Sequence, residues 1–347
     1  LAAAAWQTNA LEFTSQEVAN IAWSFASVKY PDKPLLDLIA SRTLGQLSEA
    51  ISQNVVNIAW ALDCLEWKDR EGTGLPRIIE HFLSVSSGSL GVEWITLATI
   101  AKERGFADRV PQFMAQFEAA VLAPALAHLR SLRGAVDEAA RQQCLAAFQT
   151  WVEAIQLPHL GSYFLEDALR AAGAVPSSSP WREEAREAVR SVAWWSCPHA
   201  AVSSQGVVAW VAAKLQGKTG DLVKEPGKVY VAEDSQGLVL VERMIQPLFL
   251  QVPRNGHAER KAMVALLRSV LQAVGQSGGP SGGLEDVQGW VRLYASHYLC
   301  ISCLASLAQF SRALPAVCVE VSCDNAWSSW QEREQNPGHV LSIGLRL

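Results

Sequence analysis

A multidomain chain, with an all-α array of helical repeats ahead of a three-layer α/β sandwich, is the architecture this sequence predicts, and three observations predict it. A nine-residue stretch, Ser15-Gln16-Glu17-Val18-Ala19-Asn20-Ile21-Ala22-Trp23, returns 37 residues later as Ser52-Gln53-Asn54-Val55-Val56-Asn57-Ile58-Ala59-Trp60. A period of that size marks stacked helical units. An Ala-, Ser- and Pro-rich stretch from Ala171 to Pro180 then reads as a linker. Beyond it the apolar pattern changes from purely helical to helices mixed with short strands. The expected division is a helical-repeat domain over residues 1–175 and an α/β domain over 180–347.

In the first domain each copy of the repeat reads as a helix with an early cap, as in Thr14 followed three residues later by Glu17. Val18, Ile21, Ala22 and Phe25 share one face at helical spacing, and Ala19, Trp23 and Ala26 make a second. Two apolar faces suit a helix held between neighbours in a solenoid. A weaker third copy keeps Ser89, Val92, Ile95 and Ala98 at the same shift, with Leu97 in the place of Trp. Partner helices are expected over Pro34–Leu47 and Leu75–Val85, and residues 111–172 stay helical in pattern. Trp23 and Trp60 are expected to pack in the core, and Asn20 and Asn57 to bond a neighbouring loop.

The Asn-Ile-Ala-Trp element resembles the Trp-containing helical repeats of algal and protist organelle RNA-processing proteins, themselves similar to octotricopeptide arrays. That resemblance implies an RNA partner and an organelle, a mitochondrion or chloroplast.

After the linker the pattern predicts helices over Trp181–Trp195 and Ser204–Leu215. A hairpin follows, of Lys228–Ala232 and Leu238–Arg243 about a turn at Asp234-Ser235-Gln236-Gly237. Then come a helix over His257–Val274, a Gly/Ser loop over Gln276–Gly283, a strand over Val291–Ala295, a helix over Cys300–Leu314 and a strand over Ala316–Ser322.

The chemistry is concentrated in Gly256-His257-Ala258-Glu259 and Cys300-Ile301-Ser302-Cys303. One His and two Cys are three ligands of the kind zinc takes, and catalytic zinc keeps three protein ligands with the fourth position open. His257, Cys300 and Cys303 are therefore the candidate metal ligands, and Glu259 is the carboxylate left over for proton transfer. Both halves fall at the starts of expected helices, whose free N–H groups and partial positive charge favour thiolates.

The pattern resembles the His-x-Glu…Pro-Cys-x-x-Cys signature of the zinc-dependent base deaminases. The order helix, hairpin, helix, strand, helix, strand is similar to the deaminase-like three-layer α/β sandwich of that family. The resemblance covers about the last 150 residues and implies a zinc cofactor with Glu259 as proton shuttle. Leu299 stands where the family motif has Pro. The layout also resembles the DYW-type editing deaminases of plant organelles, which carry an additional zinc site. Cys318 and Cys323 are not expected to form one here, because side chains five apart on a strand point to opposite faces. The DYW-type ending is absent, the sequence closing Ile343-Gly344-Leu345-Arg346-Leu347. Trp327 and Trp330 are expected to pack on the sheet.

Other readings of the same residues narrow the field. A redox Cys-x-x-Cys of the thioredoxin type would have no His-x-Glu helix upstream. A purely structural zinc would call for a fourth ligand, for which His297 is the nearby candidate. His81, His128, His159, His199 and His339 form no sequence cluster.

Composition bounds the partners. Half of the 347 residues are apolar and the net charge is −5. Residues 1–180 carry 13 basic and 19 acidic side chains and the remainder 16 and 15, so neither half has a general basic footprint for nucleic acid. Seven scattered cysteines fit a reducing, intracellular compartment better than a disulfide framework. No apolar run has the length of a membrane helix. The start at Leu1, with no initiator Met, is what a fragment or processed form would show.

The expectation from all this is a zinc-dependent cytidine deaminase-like hydrolase behind a helical array, converting cytidine to uridine in RNA. An array in front of a catalytic domain makes sense as the reader of a polymer. Two alternatives remain: a deaminase of a free nucleoside or nucleotide, and a non-catalytic RNA-binding or scaffold protein with a structural zinc.

Overall fold

Helices make up the amino-terminal part and a mixed five-stranded sheet with helices the rest, in a computed structural model that describes residues 13–69, 71–196, 208–218, 220–231, 243–248, 257–276 and 283–324. The described chain divides into two units: residues 13–123 with Ile155–Tyr163, and Pro124–Ala154 with residues 164–324. None of the described helices is long and apolar enough to cross a membrane.

The first unit is helical. Its helices are α1 (Ser15–Ser27), α2 (Lys33–Gly45), α3 (Ser52–Cys64), α4 (Gly74–Val85), α5 (Gly91–Glu103) and α6 (Pro111–Phe117). Helix α1 opens with a complete capping box: Glu17 N–H donates to the Thr14 hydroxyl at 3.3 Å, and Thr14 N–H to the Glu17 carboxylate at 2.8 Å. Helix α2 starts on Asp32, whose carboxylate accepts the Leu35 N–H at 3.0 Å, with Pro34 in the first turn. Helix α1 packs on α3 and α3 on α5, while α2 packs on α4.

Polar bonds join α1 to α3 and α3 to α5 at their starts. Asn54 donates to the Ser15 hydroxyl at 3.1 Å, and the Ser52 hydroxyl donates to Glu93 at 3.3 Å. Glu17, Asn54 and Glu93 are each the third residue of their helix, so α5 is offset from α3 by 39 residues, not the expected 37. The longer loop before α4, residues 65–73 against 28–32 before α2, accounts for the shift; the loop before Gly91 is shorter than its counterpart before Ser52. Trp23 and Trp60 are half-buried, Asn20 is exposed, and the asparagine that reaches a neighbouring helix is Asn54.

The second unit adds α7 (Ala123–Arg133), α8 (Glu138–Ile155), α9 (Leu165–Ala172), α10 (Trp181–Ser196), α11 (Ala258–Gln276) and α12 (Ile301–Ala313). These accompany strands β1 (Ala174–Pro176), β2 (Val208–Gly217), β3 (Gly220–Val231), β4 (Gln288–Ala295) and β5 (Val317–Cys323), in sheet order β1-β5-β4-β2-β3. Strand β5 runs parallel to β1 and β4, and β2 antiparallel to β4 and β3.

Two expectations are corrected here. Residues Val208–Leu215 are strand, not helix: the run Val-Ala-Trp-Val-Ala-Ala is buried throughout and pairs along both edges, with β3 and β4. A short, continuously apolar run does not by its period distinguish a buried strand from a helix. The observed hairpin is consequently β2–β3, with Lys228 at the far end of β3, while residues 232–242 of the expected hairpin lie outside the described residues. Within the stretch expected to be a linker, Ala174–Pro176 pair with Val319–Val321 as an edge strand.

Alternation along β2 serves two layers. Val208, Trp210 and Ala212 join Trp181, Ala185 and Val189 of α10 and Tyr294 of β4 in one buried cluster, where Trp181 and Trp210 stack with centroids 5.9 Å apart. Helix α11 packs on β2 and β3 and against α12. The turn from α9 into β1 needs Gly173, at φ +93°, where a Cβ would meet Arg133 at 2.7 Å and Ser311 at 2.9 Å. Gly173→Ala should cost on the order of 1–3 kcal/mol, read as a lowered thermal midpoint.

Asp324, just past β5, accepts from Arg186 through Nε and Nη2 at 2.7 Å each, from the Tyr294 hydroxyl at 2.6 Å, and from Arg182. Burial works against its charge, but the donors from Arg186, Tyr294 and Arg182 prevail and hold the carboxyl well below the usual carboxylate range. A depressed carboxyl contributes stability that is complete above its unfolded value near about 4 and is lost as pH falls toward the folded value. Asp324→Asn should therefore destabilise by about 1–3 kcal/mol at pH 7, with variant and wild type converging below about pH 4. Urea titrations at pH 7 and pH 3 check this, and an equal gap at both would show that the charge is irrelevant.

Candidate metal centre

The centre forms at the rim where β4 and β5 end and β2 begins. Ala295 lies opposite Ala209 on one side and Cys323 on the other. Ser296 seals the rim, its N–H donating to Val208 O at 2.9 Å and its hydroxyl accepting Val208 N–H at 3.1 Å. The chain then turns into α12 at Cys300, whose extended backbone and sulfur cap the helix by accepting the Cys303 N–H at 3.4 Å. An N-cap sulfur faces the positive end of the helix, which favours its thiolate.

Across from it, His257 immediately precedes α11, and its carbonyl accepts the Lys261 N–H at 3.0 Å. The His257 Nδ1 lies 3.2 Å from Cys303 Sγ and 3.6 Å from Cys300 Sγ. Ligand atoms of these three residues all fall within 4.8 Å of one another. Tetrahedral zinc, with bonds of about 2.3 Å to sulfur and 2.0–2.1 Å to nitrogen, sets N···S separations of roughly 3.5 Å. The cluster fits that ion, and the same donors are compatible with other borderline metals.

Glu259 sits in the first turn of α11, only 2% exposed, and its Oε2 has no hydrogen-bond partner. Burial pushes its carboxyl above the ordinary carboxylate range, with His257 pulling the other way and Cys300 adding to the rise. A buried carboxylate oxygen without a donor is costly.

Thus the four residues read from the sequence come together, three as a ligand cluster and the fourth beside it. His297, the candidate fourth ligand of a structural site, is not part of the cluster; its Nδ1 lies 2.7 Å from the Ser296 hydroxyl, and burial lowers its pKa to about 4. Cys318 is exposed and Cys323 half-buried, on opposite faces as their spacing required. Burial pushes the Cys323 thiol up to about 12, with Arg182 and the Leu299 backbone favouring its charge and Asp324 and Glu259 opposing it. Leu299 itself is fully buried. Trp327, Trp330, His199 and His339 lie outside the described residues.

Sequence reasoning missed the polar residues behind the cluster. Ser302, between the two cysteines, accepts the Leu248 N–H at 3.1 Å, and Arg260, next to Glu259, donates to Ile245 O at 2.9 Å. Their only signal was burial of polar residues on helix faces that are otherwise apolar, a property of the folded state.

Comparison with known proteins gives no match. No protein-family model, curated protein or solved structure is similar enough to this chain to report.

Proposed function

We propose that the chain is a zinc-dependent hydrolase that deaminates a nucleobase, converting cytidine to uridine in RNA. The observation that carries the reading is Glu259: a buried carboxylate with an unpartnered oxygen beside a cluster that offers three ligands and, among the described residues, no fourth. A structural zinc closes its shell with four protein ligands, whereas a catalytic one leaves a position open. The ligand positions at two helix starts, and the order hairpin, helix, strand, helix, strand over β2 to β5, further support a deaminase-like sandwich.

When bound, zinc would supply Lewis acidity and a water acidified toward neutrality. His257, Cys300 and Cys303 would hold it. Glu259 would take a proton from that water and return it to the leaving amine. The low polarity around Glu259 strengthens each of these interactions.

RNA as substrate rests on the helical amino-terminal part, which we read as a repeat array that follows a polymer. Half-buried Trp23 and Trp60 leave part of each indole at the surface, where a base could stack. The test is to incubate the zinc-loaded chain with single-stranded RNA containing cytidine, and separately with cytidine and its monophosphate, measuring ammonia release and uridine formation. Uridine in RNA is expected. Turnover of the free nucleoside or nucleotide alone would replace RNA by a small substrate, and zinc binding without turnover of any of them would leave the scaffold reading.

A further inference from the structure

Behind the ligand cluster, residues 243–248 are bonded to both helices that carry it. Arg260 of α11, adjacent to Glu259, donates to Ile245 O at 2.9 Å. Ser302 of α12, between the two cysteines, accepts the Leu248 N–H at 3.1 Å. Two turns further along α12, Gln309 grips Gln246 with both ends of its amide: Oε1 accepts Gln246 N–H at 3.1 Å and Nε2 donates to Gln246 O at 2.7 Å.

What orients that amide is Arg141 of α8, a guanidinium with no solvent exposure. Its Nη1 donates to Gln309 Oε1, and its Nη2 to Arg243 O at 2.8 Å. With Oε1 receiving two donors, Nε2 must face Gln246 O and Ala305 O, the latter 3.2 Å away. The guanidinium charge is met by Glu138, whose own side chain is 62% exposed. Burying a guanidinium to this depth is costly, so the arrangement calls for a reason, and the segment it locks is the one that spans the two metal-bearing helices.

We propose that Arg141, acting through Gln309, is a positioning residue of the metal centre. It fixes the 243–248 segment that sets α11, with His257 and Glu259, against α12, with Cys300 and Cys303. Losing a direct hydrogen-bond partner of a metal ligand typically costs about 10- to 100-fold in metal affinity; Arg141 acts further out, through Gln309 and the 243–248 backbone, which places its effect at the low end of that range. The inference rests on reading the His257, Cys300 and Cys303 cluster as a metal site, but not on the identity of the substrate.

The experiment uses the full chain loaded with cobalt(II), whose thiolate and ligand-field absorption bands report the geometry of the site, and zinc competition for affinity. Arg141→Met is expected to weaken metal binding by about 10-fold, the low end for outer partners of a metal site, and to shift the cobalt bands. It keeps much of the side-chain volume and strands no buried charge, because Glu138 is at the surface. Should that variant not fold, Gln309→Met tests the same linkage from the other side. Arg141→Lys, which keeps the charge but not the fork, should fall between. Leu145→Ala, a buried apolar truncation one turn along α8 that removes none of these bonds, controls for lost packing and stability and should leave affinity and bands unchanged.

Where both variants fold, the double variant should be no worse than Arg141→Met, since the two residues act in series. Affinity within twofold of wild type in the folded Arg141 and Gln309 variants would overturn the proposal, as would an equal loss in Leu145→Ala. A wild type that binds metal but deaminates nothing would remove the proposed function and leave this inference standing. A wild type that binds no metal would remove both.

Discussion

Glu259→Gln is expected to lower deamination by about a hundred- to ten-thousand-fold, the usual worth of general acid–base help, with zinc content unchanged. The substitution is isosteric and removes only the ability to take and return a proton. Its environment makes the separation clean, because Glu259 is 2% exposed and its Oε2 accepts no hydrogen bond from the described residues. No internal hydrogen bond to that oxygen is lost, and a neutral amide suits a site in which burial already disfavours the charge. Zinc per chain, measured on the same preparation, should stay at one. Loss of zinc together with activity would recast Glu259 as a support of the metal, and activity that survives would defeat the proton-shuttle assignment.

The second large effect is expected from the ligands. Cys300→Ser should abolish stoichiometric zinc binding at pH 7 and, with it, both turnover and the stabilisation that zinc gives to the fold. Serine is the fitting replacement because Cys300 is the N-cap of α12, and a serine hydroxyl caps a helix well. Its oxygen is not ionised near neutrality and is a poor zinc ligand. Helix α12 should therefore start as before while the metal is lost.

Ligand that binds only the folded state stabilises it by about 4 kcal/mol when present at a thousand times its Kd. Wild type should accordingly melt at a clearly higher temperature with zinc than with a chelator, and Cys300→Ser should melt at one temperature in both. Cys303→Ser should lose the metal too, at greater cost to the apo fold, since Cys303 is fully buried and its sulfur sits 3.2 Å from His257. Full zinc occupancy in the double Cys300→Ser, Cys303→Ser variant would place the metal elsewhere.

What the sequence determined by itself were the features whose cause is local. The Thr14 to Glu17 capping box and Pro34 just inside α2 set helix starts through neighbouring residues, and α1, α2 and α3 lie where those signals and the 37-residue repetition placed them. The ligand cluster was legible for a related reason. Cys300 and Cys303 are one helical turn apart, and His257 and Glu259 open the other helix, so ligand types and helix starts were enough to name them.

Tertiary structure alone decided what depends on partners far along the chain. Val208–Gly217 is strand because β3 and β4 satisfy its backbone on both edges and its two faces bury against different layers. Ala174–Pro176 joins the sheet because β5 presents a free edge to it. Residues 124–154 are helical by their own pattern, yet only the folded chain groups them with the sheet and brings Arg141 to Gln309, 168 residues away. Periodicity says which face of a segment is apolar but not what will cover it. A buried Arg or Ser shows its meaning only when the group it satisfies has been brought to it.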